Sequence, residues 1–336
     1  LSINGTYLPW LLPWLLRFAW ASRPHKVAYI GSQLGMLLSQ AHSALVPLIE
    51  AAQGSDLVKK NGTLYLYASE AGLVKAQPDI ALRRQNGIAV TELTKSEISD
   101  LEPHLNPIYE RGLWFENAQH LLNPLDLLKR MGASVVANGG QIVTNKAVGI
   151  KRISIDTLKV QLQDTSIQGQ KVVVAAGAWS KGLAQQVGDT LPLDTEQGYH
   201  LMYKGAEQLL NRPVGWADVG FYMTPMNEGL RAAGTVELAG LNNAANPKRL
   251  QLIAKTMKTL LPQLKSHDSE WTGFRPSMPD SMPVISQSSK DTGVYYAFGH
   301  GHIGVTLSGI TGKLISEMID GKTPSMDIAA FSAQRF

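Results

Sequence analysis

The 336-residue chain carries 31 Lys and Arg against 27 Asp and Glu, a formal charge of +4, with 44% apolar residues, 17% charged residues and no cysteine. That balance excludes wholesale disorder and allows a sizeable core, and the lack of Cys excludes disulfides, zinc ribbons, iron–sulfur clusters and cysteine nucleophiles. The pI near 9.1 comes without a basic run longer than two residues, so nucleic-acid binding is not indicated, and the eight His contain no HExxH and no HxH beyond His300-Gly301-His302, so a metal site is not expected.

The first predicted element is an apolar, Trp-rich segment, Leu8-Pro9-Trp10-Leu11-Leu12-Pro13-Trp14-Leu15-Leu16-Arg17-Phe18-Ala19-Trp20. A membrane-crossing helix needs about 20 unbroken apolar residues, and this run is shorter and holds two prolines and an Arg. No basic stretch precedes it, so it does not read as a signal peptide. Two readings stay open: a short helix buried under a domain interface, or a segment lying on a membrane surface. Leu34, Leu37, Leu38, Ala41, Leu45 and Leu48 predict a helix over 31–52, kinked or ended by Pro47. Asn61-Gly62 turns the chain into a strand at Thr63–Tyr67. Residues 71–86 read as helix, Thr94–Leu101 as a short capped helix and Leu113–Phe115 as a strand.

Asn123-Pro124 opens a helix through Leu125, Leu128 and Met131. Gly139-Gly140 is expected to turn into a strand at Gln141–Thr144, and Lys159–Leu162 forms another. Val172-Val173-Val174-Ala175-Ala176 is a continuous apolar run, the pattern of a central strand buried on both faces; Gly177 ends it and Ala178 starts a helix. Alternation over 191–240 predicts antiparallel strands at Tyr199–Tyr203, Gly220–Thr224 and Leu230–Val236. A helix near 247–262 follows, then strand Val294–Phe298, loop Gly299–Gly304 and helix Val305–Ile319.

Three motifs bear on chemistry. Gly299-His300-Gly301-His302-Ile303-Gly304 matches G-x-G-x-x-G between a strand and a helix. Only 32 residues follow it, too few for a mononucleotide-binding half, and Glu317 and Asp320 lie on the helix itself. It is therefore not the primary nucleotide fingerprint. Its N–H groups at a helix N-terminus still favour a negative charge; the plainer alternative is a packing turn. Second, Ala175-Ala176-Gly177-Ala178-Trp179-Ser180 lets a backbone or ligand come close, a weak signal by itself. Third, in Trp271-Thr272-Gly273-Phe274-Arg275-Pro276 an Arg between a ring and a Pro is held stiffly, and its planar fork suits a carboxylate. An ordinary surface Arg is the plainer reading there.

These motifs, together with Gln197-Gly198-Tyr199, Pro279-Asp280 and Pro283-Val284-Ile285, resemble the FAD-dependent D-amino acid oxidase/dehydrogenase superfamily over essentially the whole chain. The likeness is nearer to bacterial D-amino acid dehydrogenases than to glycine oxidase. That family opens with a strand, a GxGxxG loop, a helix and a second strand, and this sequence begins about 80 residues into that pattern. The resemblance implies a mixed α/β and α+β fold. A Rossmann-like FAD-binding domain, incomplete because its first βαβ is absent, would interleave with an antiparallel-sheet substrate domain. Residues 1–115 and 191–281 would form the substrate domain, and 116–190 and 282–336 the FAD-binding domain.

Carried over position by position, the resemblance implies that Val148 places backbone against the adenine and that Ala176, Gly177 and Trp179 line the dinucleotide. Gly301, His302, Ile303, Gly304, Val305 and Thr306 would wrap the isoalloxazine edge. Arg275 would hold the substrate carboxylate, with Tyr222 near it and Tyr199 as a further substrate contact. His302, where glycine oxidase has a second Arg, completes a catalytic set with Arg275 and Tyr222; no metal is implied. The implied reaction oxidises the amine of a D-amino or imino acid by hydride transfer to flavin N5, giving a keto acid and ammonia. The electron acceptor would be a quinone or O2. The Leu8–Trp20 segment favours a quinone and a cytoplasmic enzyme peripheral on the inner membrane. The alternative function is an FAD-deficient fragment or a non-catalytic subunit.

Overall fold

The computed structural model describes residues 2–336. A two-residue strand, β1 (Ser2–Ile3), leads into three helices, α1 (Leu8–Ala21), α2 (Pro24–Ser39) and α3 (Ala41–Ala51). Then come β2 (Val58–Lys59), β3 (Thr63–Tyr67), α4 (Glu70–Gln85), β4 (Thr91–Thr94), α5 (Lys95–Leu101), β5 (Arg111–Phe115), β6 (His120–Leu121) and α6 (Pro124–Ala137). A meander of β7 (Ala147–Ser154), β8 (Thr157–Leu162) and β9 (Ser166–Gly169) precedes β10 (Val172–Val174) and α7 (Ser180–Val187). The next elements are β11 (Asp194–Tyr203), β12 (Val214–Trp216), β13 (Phe221–Met226), β14 (Gly229–Leu238), α8 (Pro247–Leu260) and β15 (Ser269–Ser277). Last are β16 (Val284–Gln287), β17 (Val294–Phe298) and α9 (Gly304–Ile319).

Nine strands form one sheet in the order β15-β11-β14-β13-β12-β3-β5-β4, with β1 beside β14. Its pairings are antiparallel except β12 with β3 and β1 with β14. Alternation sorts the two faces of this sheet. Tyr199, Leu201 and Tyr203 of β11, Leu230 and Ala232 of β14, and Phe221 and Met223 of β13 pack in one core with Ile253, Met257 and Leu260 of α8. The helix is set by Asn246, whose side chain accepts from the Lys248 N–H, and by Pro247 at its first position. Full burial of Ile253, Met257 and Leu260 contributes about 1.5–3 kcal/mol each. The other face of the sheet carries the candidate site.

A second sheet has β10 parallel to β17 and β16 antiparallel to β17. Leu158 of β8 joins its core from one side. From the other, Leu37 of α2 and Ala41 of α3 share a core with Leu307, Ile310 and Leu314 of α9. Gly309 of α9 rests on the backbone of Ala44 and Leu45, where a Cβ would clash. Residues 24–51, grouped by the sequence with the large sheet, thus pack on α9.

Four expectations change. The helical run over 31–52 breaks at Gln40, and Pro47 sits inside α3. Gln141–Thr144 is not a strand: the Gly140 N–H bonds the Val135 carbonyl, so the two glycines close α6 and the next strand starts at Ala147. The strand at Val172 is not enclosed on both faces; Val173 is 40% exposed, and among the described residues β10 pairs only with β17. Finally, α1 is not a buried helix. Only Leu11, Trp14 and Ala21 are buried, while Trp10 is 79% exposed and Leu12, Leu16 and Trp20 are exposed with it.

Candidate active site

The open face of the large sheet is built by a two-residue period on neighbouring strands. Glu196, Gly198 and His200 of β11 stand opposite Arg275, Gly273 and Trp271 of β15. Ala233 of β14 faces His200, and Tyr222 of β13 faces Ala233, which carries the same face across four strands. Cross-strand partners share a face, so these side chains converge.

Glycines make the room. The Arg275 guanidinium lies over Gly198, where any Cβ would overlap it. Tyr65 of β3 and Tyr222 stack at 5.7 Å and 27° over Gly215, where a Cβ would strike both rings. Burial first, and then the neighbouring Tyr65, push the Tyr222 phenol up to about 12, so it is a neutral donor at physiological pH. Tyr65, Tyr222, Leu113, Phe115 and Thr306 line a cavity of about 830 Å³ with Arg83 at its wall.

The charged groups are incompletely partnered. Arg275 Nη1 is buried and has no hydrogen-bond partner. Burial lowers its pKa, an effect that the charge of Glu196 opposes. For Glu196, burial works against ionisation, but the His302 hydrogen bond and then the charges of His302 and Arg275 outweigh it and hold the carboxyl below its usual range. His302 Nε2 lies 2.9 Å from Glu196 Oε2. This pair ties the loop before α9 to the strand beneath Arg275. His200 stacks on Trp271 at 4.9 Å; burial and then the charge of Arg231 push it down to about 4, so it is neutral. His200 Nδ1 and Arg231 Nε are also buried without partners. Unsatisfied polar atoms of this kind collected on one face mark a ligand site.

The second half of the site sits at the ends of β10 and β17. Gly177 after β10 and Gly299 and Gly301 after β17 all take left-handed φ values, 55°, 84° and 53°. Nothing stands within 4 Å of a Cβ at Gly177, and the nearest atom at Gly301 is Ser277 Oγ at 3.9 Å. No side chain caps α9, whose first-turn N–H groups are therefore left for a ligand. Trp179 and Val305, next to these turns in the chain, expose large apolar surfaces, Trp179 by 59%. Trp179 meets Phe274, the neighbour of Arg275, edge to face at 6.2 Å. A glycine cradle, free N–H groups and flanking apolar surface fit a flat, anionic, partly apolar group such as a flavin dinucleotide.

The sequence-predicted residues separate into those the fold brings together and one it sends elsewhere. Tyr222 and Thr306, 84 positions apart in the chain, meet in the cavity. His302 contacts Glu196, the cross-strand partner of Arg275. Ala176, Gly177 and Trp179 occupy the turn after β10, and Val148 lies on β7 with its carbonyl accepting from Gln186 Nε2. Tyr199 does not face the site. It is buried on the α8 side, where its hydroxyl donates to Glu237 at 2.6 Å and accepts from the Asn246 N–H. Tyr65, Glu196, His200 and Arg231 were missed; the shared strand period in Glu196-x-Gly198-x-His200 and Trp271-x-Gly273-x-Arg275 could have found Glu196 and His200, whereas Tyr65 and Arg231 reach the face only through the register of other strands.

A family model described as FAD dependent oxidoreductase matches residues 10–318. A D-amino-acid oxidase of Bradyrhizobium diazoefficiens is 35% identical over 347 residues, covering 100% of this chain and 81% of that protein. A D-amino acid dehydrogenase of Vibrio vulnificus is 28% identical, covering 79% of this chain and 65% of the other. Among solved structures, glycine oxidase from Geobacillus kaustophilus superposes with a TM-score of 0.79 at 21% identity, covering 94% of this chain and 84% of that one.

Proposed function

The chain belongs to the FAD-dependent oxidoreductase family whose model spans residues 10–318, and from that premise we propose that the open sheet face binds a D-amino or imino acid by its carboxylate through Arg275 and Tyr222. It is an enzyme of the amino acid oxidase and dehydrogenase type, acting on CH–NH2 donors. FAD, when bound, accepts the electron pair released as the amine is oxidised toward a keto acid and ammonia. Gly177 and Trp179 would hold the dinucleotide, and the loop Gly301–Gly304 with the first turn of α9, Val305 and Thr306, would hold the ring by its N–H groups. The protein's own work is orientation. Arg275 fixes the carboxylate with a planar fork, the neutral Tyr222 phenol donates a second bond, and Glu196 with His302 keeps Arg275 registered against the flavin loop.

The observation that carries this reading is Arg275 itself: a buried guanidinium over Gly198 with a free Nη1, cross-strand from Glu196, whose carboxylate is bound by His302 of the loop before α9. Arg275→Ala is expected to lower kcat/KM for amino acids by about 2–5 kcal/mol of transition-state binding, with the flavin absorption spectrum unchanged. Wild-type kcat/KM in that variant would remove the carboxylate assignment.

The electron acceptor of this reading is a membrane quinone. Among the described residues no helix is long and apolar enough to cross a membrane. Yet α1 presents Trp10, Leu12, Leu16 and Trp20 to solvent, and no Asp or Glu occurs before Glu50, while Arg17, Arg23 and Lys26 flank the apolar face. Such a face suits the interface of an anionic bilayer. Trp14 is not part of it: its indole N–H donates to the Ser277 carbonyl inside the fold. Wild-type protein is expected to float with anionic liposomes, and a W10S, L12S, L16S, W20S variant to stay behind; equal flotation would refute the contact.

A further inference from the structure

The reaction chemistry uses one arginine on the open sheet face, and the structure places two there. Arg231 of β14 is partnered with Met202 of β11, and Ala233, two residues on, with His200. Alternation therefore puts the Arg231 side chain on the same face as His200, Tyr222 and Arg275. Its Nε is buried with no hydrogen-bond partner, and among the described residues no carboxylate lies within salt-bridge distance of it. Burial, and then the like charge of Arg275, lower its pKa. The acid nearest Arg275, Glu196, is already engaged by His302. A half-buried cation that none of the described residues neutralises is costly unless an anion arrives with the ligand.

The register decides whether that anion is the α-carboxylate or a second group. The Arg275 fork lies over Gly198, and Arg231 starts from the level of Met202. At about 3.3 Å per residue these levels are roughly 13 Å apart along β11. Between them stands His200, a neutral ring stacked on Trp271. Two arginines whose levels on the sheet are offset in this way, with His200 between them, suit two anionic groups at a spacing rather than one carboxylate.

We infer that Arg231 is a specificity-determining residue that binds a second, side-chain carboxylate, so that the preferred substrate is an amino dicarboxylic acid. The inference rests on the assignment of Arg275 to the α-carboxylate. With flavin-loaded protein, kcat/KM for D-glutamate is expected to exceed that for D-glutamine by about tenfold or more, the worth of a charge-assisted pair. Arg231→Gln is expected to erase that ratio and Arg231→Lys to keep part of it. An unchanged ratio in Arg231→Gln, or a wild-type preference for the amide, would overturn the inference. A second measurement needs no turnover: pentanedioate should raise Tm more than butanoate in wild type, and by the same amount as butanoate in Arg231→Gln. If the loaded enzyme oxidises no amino acid, the amine-oxidation reading fails, and the Tm comparison still decides Arg231. Equal shifts by the two acids in wild type would then reject it.

Discussion

On one face of β11, Tyr199, Leu201 and Tyr203 lie in a closed core with α8, and the one buried acid nearby, Glu237, is satisfied by the Tyr199 hydroxyl and Asn246 Nδ2. On the other face, Glu196, Gly198 and His200 stand among two arginines and an imidazole with unpartnered polar atoms, and glycines replace the side chains that would fill the space. The same strand makes both. On the α8 side Tyr199, Glu237 and Asn246 are spent on one another, and on the open side Arg275, Arg231 and His200 are left for something that is not part of the chain. This difference locates the site more sharply than the depth of any cavity does.

The largest expected effect tests the closed face. Ile253→Ala removes a fully buried side chain from the α8 core and is expected to lower stability by about 2–5 kcal/mol. Its kcat/KM at a temperature where the variant stays folded should match wild type. A catalytic defect without a fall in Tm would show that the two faces are not independent.

Next comes the open face. Gly198→Ala drives a methyl group into the Arg275 fork, the far end of a flexible arm, so the arm swings aside and the backbone stays. An activity loss of about 10²-fold is expected, since misplacement of a positioning group by about 1 Å suffices for that, with little change in Tm. Loss of Tm with retained activity would reverse the roles given to the two faces.

The contrast also explains what the sequence could and could not disclose. The G-x-G-x-x-G loop, the Asn123-Pro124 helix start and the Thr94 capping box are local signals, and each appears where its residues predict. Arg275 and Tyr222 were singled out through resemblance, because their flanking residues are distinctive, and the fold sets both on the open sheet face. Tyr199 was assigned by resemblance, and the unbroken alternation of β11 puts it one residue out of phase with Glu196, Gly198 and His200, on the opposite face. Arg231 was silent because a single Arg in Leu230-Arg231-Ala232 reads as a surface cation until the register of three strands is known. Gly139-Gly140 signalled a turn correctly but not its use, which is to close α6.

The smallest expected effect concerns protons on the open face. His200 sits at about 4 in the fold against 6.5 ordinarily, because burial and then Arg231 disfavour its charged form. The unfolded chain takes up a proton as pH falls through about 6.5, and the folded chain resists until about 4, so stability declines across that window and no further below it. His300, buried with Nε2 against Thr311 Oγ1, is likewise pushed down to about 4 and adds a change of the same sign. For His200 the contribution is about 1 kcal/mol once its partial solvent exposure is discounted. Denaturant midpoints measured near neutrality and again around pH 5 should therefore fall further in wild type than in His200→Asn, with fluorescence of Trp271, on which His200 stacks, as the local reporter. If both proteins lose the same stability, the imidazole takes up its proton in the fold as readily as in the unfolded chain, and at pH 5 a third cation would join Arg275 and Arg231 on a face that then demands an even more anionic ligand.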